Sequence, residues 1–159
     1  MTRTLIIGYG NLDRQDDGAA RVVVNTLRDR LGQAFLAEYD TGLEALGHPV
    51  DSIFLLQLGP ELLDVVADYD RVVFVDAHVR SDAPDVEVEP VLAEYATATF
   101  THHMTPALFL ALLAALHGVR PESYLASIRG HAFDFKQGLT AETAALVETA
   151  VDAILELFS

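Results

Sequence analysis

The 159-residue sequence predicts an α/β fold in which a mostly parallel sheet is covered by helices on both faces. Three observations predict it. Short apolar runs rich in Val and Ile alternate with segments whose apolar residues recur at helical spacing. One run, VVFV (72–75), is apolar without interruption, as a strand buried on both faces must be. No repeat, low-complexity segment or Gly/Ser linker divides the chain, so residues 1–159 read as one domain.

The first strand is TLIIGYG (4–10), a β-branched apolar run closed by turn glycines. Ala20, Val23, Val24, Leu27 and Leu31 then repeat at helical spacing, with Arg21, Arg28, Asp29 and Arg30 largely on the other side. Asp16 or Asp17 falls at the start of that helix, where a carboxylate suits the dipole and can cap free amides. AFLAEYD (34–40) reads as a second strand and SIFLLQL (52–58) as a third, followed by a short helix with Pro60 near its first turn. RVVFVDA (71–77) is the central strand. SDAPD (81–85) makes a turn, and VEVEPVL (86–92) alternates as a strand with one exposed face. A helix starts near Pro106 and stops at Gly118, and SYLASIRG (123–130) is a further strand. A closing amphipathic helix follows Thr140, which is a fitting cap.

Composition removes several functions. Ten basic residues against 24 acidic ones leave a net charge of −14, which repels nucleic acid and anionic membrane surfaces. The absence of cysteine excludes disulfides, a thiol nucleophile and a Cys-type zinc site. The longest apolar stretch, PALFLALLAAL (106–116), is well short of the ~20 residues that span a bilayer. The N-terminal apolar run is too short for a signal peptide, so a cytoplasmic protein is the expectation.

In parallel α/β sheets, sites form outside the carboxyl ends of the strands. On that rule one rim collects GYGNLDRQDDG (8–18), Asp40, Asp76 and the segment TFTHHM (99–104). The first stretch lacks a dinucleotide fingerprint. Asp13 stands where its third glycine belongs, and Asp16 and Asp17 would repel a pyrophosphate. Such a run of carboxylates suits a cation.

Asp76 ends a buried strand and needs a compensating partner, either a cation or a helix-start amide. His102 and His103 precede a helix, and His78 lies two residues after Asp76. His48, His117 and His131 show no such convergence. Two carboxylates and one imidazole from three loops would make a three-ligand divalent site with open positions. No G-x-S-x-G elbow, H-E-x-x-H or P-loop is present.

LIIGYGNLDRQDDGAA (5–20), VVFVDA (72–77), THHM (101–104) and GLT (138–140), in that order, resemble the nickel–iron hydrogenase maturation endopeptidases along the whole chain. The resemblance implies a three-layer αβα sandwich. It implies removal of the C-terminal peptide of a hydrogenase large-subunit precursor once nickel has been inserted. Carried across residue by residue, the metal-binding and catalytic groups fall on Asp17, Asp76 and His102. The Met two positions after His102 favours it over His103. Asp40 matches an acidic residue associated with substrate recognition.

The implied metal is divalent: nickel presented by the substrate, with zinc or cadmium able to take its place in vitro. The implied partner is the precursor. Asp16, beside Asp17, is a general-base candidate by proximity alone. The chain departs from the family after Asp40, where TGLEALGHPVDSIFLLQLGPELL (41–63) replaces a shorter loop and suggests a distinct subgroup. Two other readings share these residues: a metal-dependent amide hydrolase for a small molecule, and a non-enzymatic metal- or nucleotide-binding module.

Overall fold

The computed structural model describes residues 2–94 and 104–158. Five strands form one sheet in the order β2-β1-β3-β5-β4, where β1 is Thr4–Tyr9, β2 Val50–Leu55, β3 Arg71–His78, β4 Val86–Pro90 and β5 Glu122–Arg129. The pairings β1–β2, β1–β3 and β3–β5 are parallel, and only the edge strand β4 runs antiparallel. The helices are α1 (Ala19–Arg30), α2 (Leu63–Val66), α3 (Pro106–His117), α4 (Ala141–Ala144) and α5 (Val147–Leu155).

Alternation along the strands builds the layers. Ile6, Val73, Val75, Ala126 and Ile128 point to one face and pack under Ala20, Val23, Val24 and Leu27 of α1 and Val151 and Ile154 of α5. Leu5, Ile7, Ile53, Val72 and Phe74 point to the other face, where α2 and α3 contribute Leu63, Val66, Phe109 and Leu113. Phe74 and Phe109 meet edge to face with centroids 6.0 Å apart, tying β3 to α3. This is the expected three-layer αβα sandwich.

Local signals hold at the helix ends. Thr105 caps α3 by accepting the Leu108 amide at 3.2 Å, Pro106 opens it, and Gly118 closes it at φ +67°. Thr140 caps α4 through the Thr143 amide at 3.3 Å. The expected single closing helix is broken between α4 and α5.

Residues 34–40 are a correction: they form no strand. Of these seven residues only Leu36 is buried. Side chains of α1 take the backbone groups that a ladder would have used. Asn25 Oδ1 accepts the Leu36 amide at 2.7 Å, Arg21 and Asn25 donate to the Leu36 carbonyl, and Arg28 donates to the Ala34 carbonyl at 2.6 Å.

The strand beside β1 is instead β2, which begins two residues before the expected SIFLLQL and ends three before its close. Its outer edge is closed. Gln33 donates to the Val50 carbonyl, buried Arg28 to the Ser52 carbonyl, and the Phe54 amide to Thr41.

Candidate active site

The chain passes from β1 through α1 to β2 on one side, then crosses to β3 on the other side of β1. The crevice between the carboxyl ends of β1 and β3 is therefore a topological switch point, where ligands bind in such sheets. A cleft of ≈ 580 Å³ lies there, lined by Tyr9, Asn11, Arg14, Asp17, Asp76 and Met104 among others.

Two glycines shape its first wall. A Cβ on Gly8 would lie 2.9 Å from Val24 Cγ2, so α1 can cross β1 closely only over glycine. Gly10 has φ +151°, and a Cβ there would sit 1.9 Å from the Asp17 carbonyl oxygen. The Asn11 amide then donates to Asp17 Oδ2 at 2.7 Å, fixing that carboxylate.

Asp76 enters from β3. Gly8 pairs with Val75, so Tyr9 and Asp76 lie side by side just beyond, and the Tyr9 hydroxyl donates to the Asp76 carboxylate. Burial pushes the Asp76 carboxyl up to about 7, and the charge of Asp17 adds to that rise. The Ala77 amide and the Tyr9 hydroxyl pull it the other way. The Tyr9 hydroxyl is itself pushed up, by burial and then by Asp76.

Asp17 and Asp76 are two half-buried carboxylates in one cleft, and the charge of Asp17 raises the proton affinity of Asp76, a repulsion that a divalent cation would relieve. Hard oxygen donors fit such an ion. Among the described residues, no three His, Asp or Glu side chains gather into a metal-binding group. His102 and His103 lie outside the described residues. Met104, Thr105 and Pro106, which follow them directly, line this same cleft.

The other candidates go elsewhere. Asp16, the general-base candidate, is fully buried and faces away from the cleft lining. Its carboxylate accepts the amides of His131 (2.8 Å), Ala132 (3.0 Å) and Thr140 (2.8 Å) and the hydroxyls of Thr140 (2.8 Å) and Thr143 (2.9 Å). Burial alone would raise its pKa, but these bonds outweigh it and bring it down to about 2. With its lone pairs so occupied, it has no free geometry for proton transfer in the cleft.

Neither Asp16 nor Asp17 caps α1 through its side chain. Both lie in a single 3-10 turn, Gln15–Gly18, ahead of it. His78 turns into the following loop, accepting the Arg80 amide on Nδ1 and donating from Nε2 to the Pro84 carbonyl at 2.9 Å. His48 lies beside Asp51, His117 beside Asp64, and His131 on Thr143.

Asp40 is exposed and borders a second, adjoining cavity, where its Oδ1 accepts the Gly42 amide at 3.2 Å. Sequence reasoning missed Tyr9 and Arg14. Arg14 is held at the cleft by the Phe133 carbonyl and by stacking over the Phe135 ring at 5.0 Å. Tyr9 had a signal, since a residue that ends a strand beside a candidate aspartate lies within reach of it. Arg14 had none, because its partners are some 120 residues away.

The hydrogenase maturating endopeptidase HybD from E. coli superimposes on 98% of this chain and 91% of its own, with 24% identity and a TM-score of 0.70. The chain has the fold of the hydrogenase maturation endopeptidases. The NiFe hydrogenase maturation protease HybD from Thermococcus kodakarensis matches 98% of each chain at 21% identity and a TM-score of 0.62. An endopeptidase from Escherichia coli matches 97% of this chain and 90% of its own at 23% identity and 0.64. No protein-family model and no curated protein sequence matches the chain. Among the described residues, no helix is long and apolar enough to cross a membrane.

Proposed function

We propose that this protein is a cytoplasmic endopeptidase that removes the C-terminal peptide of a hydrogenase large-subunit precursor. The observation that carries this reading is the meeting of Asp17 and Asp76 in one cleft at the switch point of a fold shared with maturation endopeptidases. Asp17, Asp76 and His102 would hold a divalent ion, and such an ion would polarise the scissile carbonyl. The Asn11 amide orients Asp17 and the Tyr9 hydroxyl orients Asp76, so each carboxylate presents its remaining lone pairs to the cleft. Arg14 and Met104 border the space in which an extended peptide would lie.

Nickel belongs to the substrate in this proposal. Two carboxylates and an imidazole, with no thiolate, hold free metal only moderately, so the site engages the ion best when the precursor presents it. The fold shared with maturation endopeptidases favours a polypeptide over a small amide. The test is incubation of the purified protein with nickel-loaded precursor, followed by mass measurement of both products. One cleavage near the precursor's C-terminus is expected. Turnover of small amides with the precursor left intact would replace this reading by the small-molecule hydrolase.

A further inference from the structure

Beside the carboxylate cleft lies a second groove of ≈ 350 Å³, walled by Leu12, Tyr39, Phe54 and Leu56. The two cavities share Gly10, Asn11 and Leu56 as a common wall, so a chain lying over Asp17 and Asp76 passes the mouth of the groove. Its size is at the small end of ligand pockets, about 300–1,000 Å³, which suits one large side chain better than a cofactor.

Two of its wall residues stand in water at a cost. Tyr39 is 83% exposed and Leu56 67% exposed, each at the groove's rim. Tyr39 also holds φ +69°, a left-handed conformation unfavourable for an aromatic residue. The turn is kept by the Asp40 amide on the Ala37 carbonyl at 3.0 Å. The Tyr39 hydroxyl bonds Glu38, which Gln137 holds at 2.9 Å. An exposed ring fixed from both ends, in a strained backbone, is a pre-set wall. Asp13 and Asp40 border the same groove, while Arg21 is turned to the Leu36 carbonyl at 3.0 Å. The mouth therefore rejects an acidic neighbour and admits a neutral or basic one.

We infer that this groove is a specificity pocket for one large apolar side chain of the substrate polypeptide, close to its scissile bond and flanked by neutral or basic residues. It rests on the endopeptidase reading. Tyr39 and Leu56 form the contact, and the carboxylates of the neighbouring cleft do not depend on it.

The test uses the full-length protein and nickel-loaded precursor, with Tyr39→Ala and Leu56→Ser measured separately for KM and kcat. Each variant should raise KM about tenfold and leave kcat within about twofold, with a wild-type urea midpoint. Apolar residues near the scissile bond of the precursor are then changed singly to Ala. One position should raise KM for the wild type and have no further effect in Leu56→Ser, the non-additivity expected of a direct contact. Wild-type KM in both variants, or strict additivity at every substrate position, would overturn the pocket while leaving the endopeptidase standing. No cleavage by the wild-type protein would instead overturn the endopeptidase and the pocket with it.

Discussion

Asp16→Asn tests the division of labour between the two adjacent aspartates. The substitution keeps shape and removes charge. Asp16 Oδ2 accepts four donors and Oδ1 accepts the Thr140 amide, so an asparagine oxygen placed at the Oδ2 position turns its own NH₂ toward that amide. The hydrogen bond lost there is one of those that favour the charged form, so its cost is contained in the preference for charge. Folding moves the Asp16 pKa from 3.8 to about 2, and at ~1.4 kcal/mol per unit this is a stabilisation of about 2 kcal/mol at neutral pH. That loss, about 2 kcal/mol, corresponds to a fall in Tm of about 4–8 °C for a domain of this size.

The pH dependence identifies the charge as the cause. A carboxyl whose pKa is depressed by folding contributes its full stabilisation above its unfolded value. That contribution is lost as pH falls through the folded value. The wild-type advantage over Asp16→Asn should therefore be constant above about pH 5 and shrink by about 2 kcal/mol between about pH 4 and 2. Urea unfolding followed by circular dichroism, repeated across that range, measures it. A variant as stable as the wild type at pH 7 would refute the reasoning, as would a gap that does not change with pH.

Four further outcomes are expected. Asp76→Asn should abolish precursor cleavage with the stability from urea unfolding kept within about 1 kcal/mol of wild type, since Asp76 lines the cleft outside both apolar layers. Gly10→Ala should lose both stability and cleavage, because the added Cβ meets the Asp17 carbonyl; a soluble, fully active variant would contradict the geometry. His102→Ala should reduce processing more than His103→Ala, and the reverse order, seen in the same mass assay, would move the assignment by one residue. Purified protein should carry little tightly bound nickel by elemental analysis and leave the nickel-free precursor intact. Efficient cleavage of that precursor would end the role given to substrate-borne nickel.

The parts of the fold that were legible are those whose cause is local or periodic. The uninterrupted 72–75 run, the caps at Thr105 and Thr140 and the stop at Gly118 each carry their physics within a few residues. AFLAEYD failed because its composition suits a strand, while its fate was decided by Asn25, Arg21 and Arg28 one helix away. The carboxylate pair was legible through the strand-end rule, which needs only the order of elements. Asp16 was not. Its five donors come from residues 131–143, and nothing near Asp16 in the sequence announces them.

That same distance explains why two neighbouring aspartates have opposite tasks. Asp16 and Asp17 occupy a 3-10 turn, where successive side chains point about 120° apart, so they cannot face the same space. Asp16 is turned into the protein and holds the 131–143 stretch against the start of the first helix. Asp17 is turned to the cleft, and its position depends on the turn that Asp16 anchors. The Gln15 amide on the Lys136 carbonyl at 2.9 Å and the Asp16 amide on the Ala132 carbonyl at 3.1 Å fasten that turn from the same stretch. A chain that must present one carboxylate to solvent at a fixed place gains from burying its neighbour, because a loop with only exposed charges would have no anchor. The neighbouring aspartates in GYGNLDRQDDG therefore divide into one with a mechanical task and one facing the cleft, and only the second is placed to meet a cation.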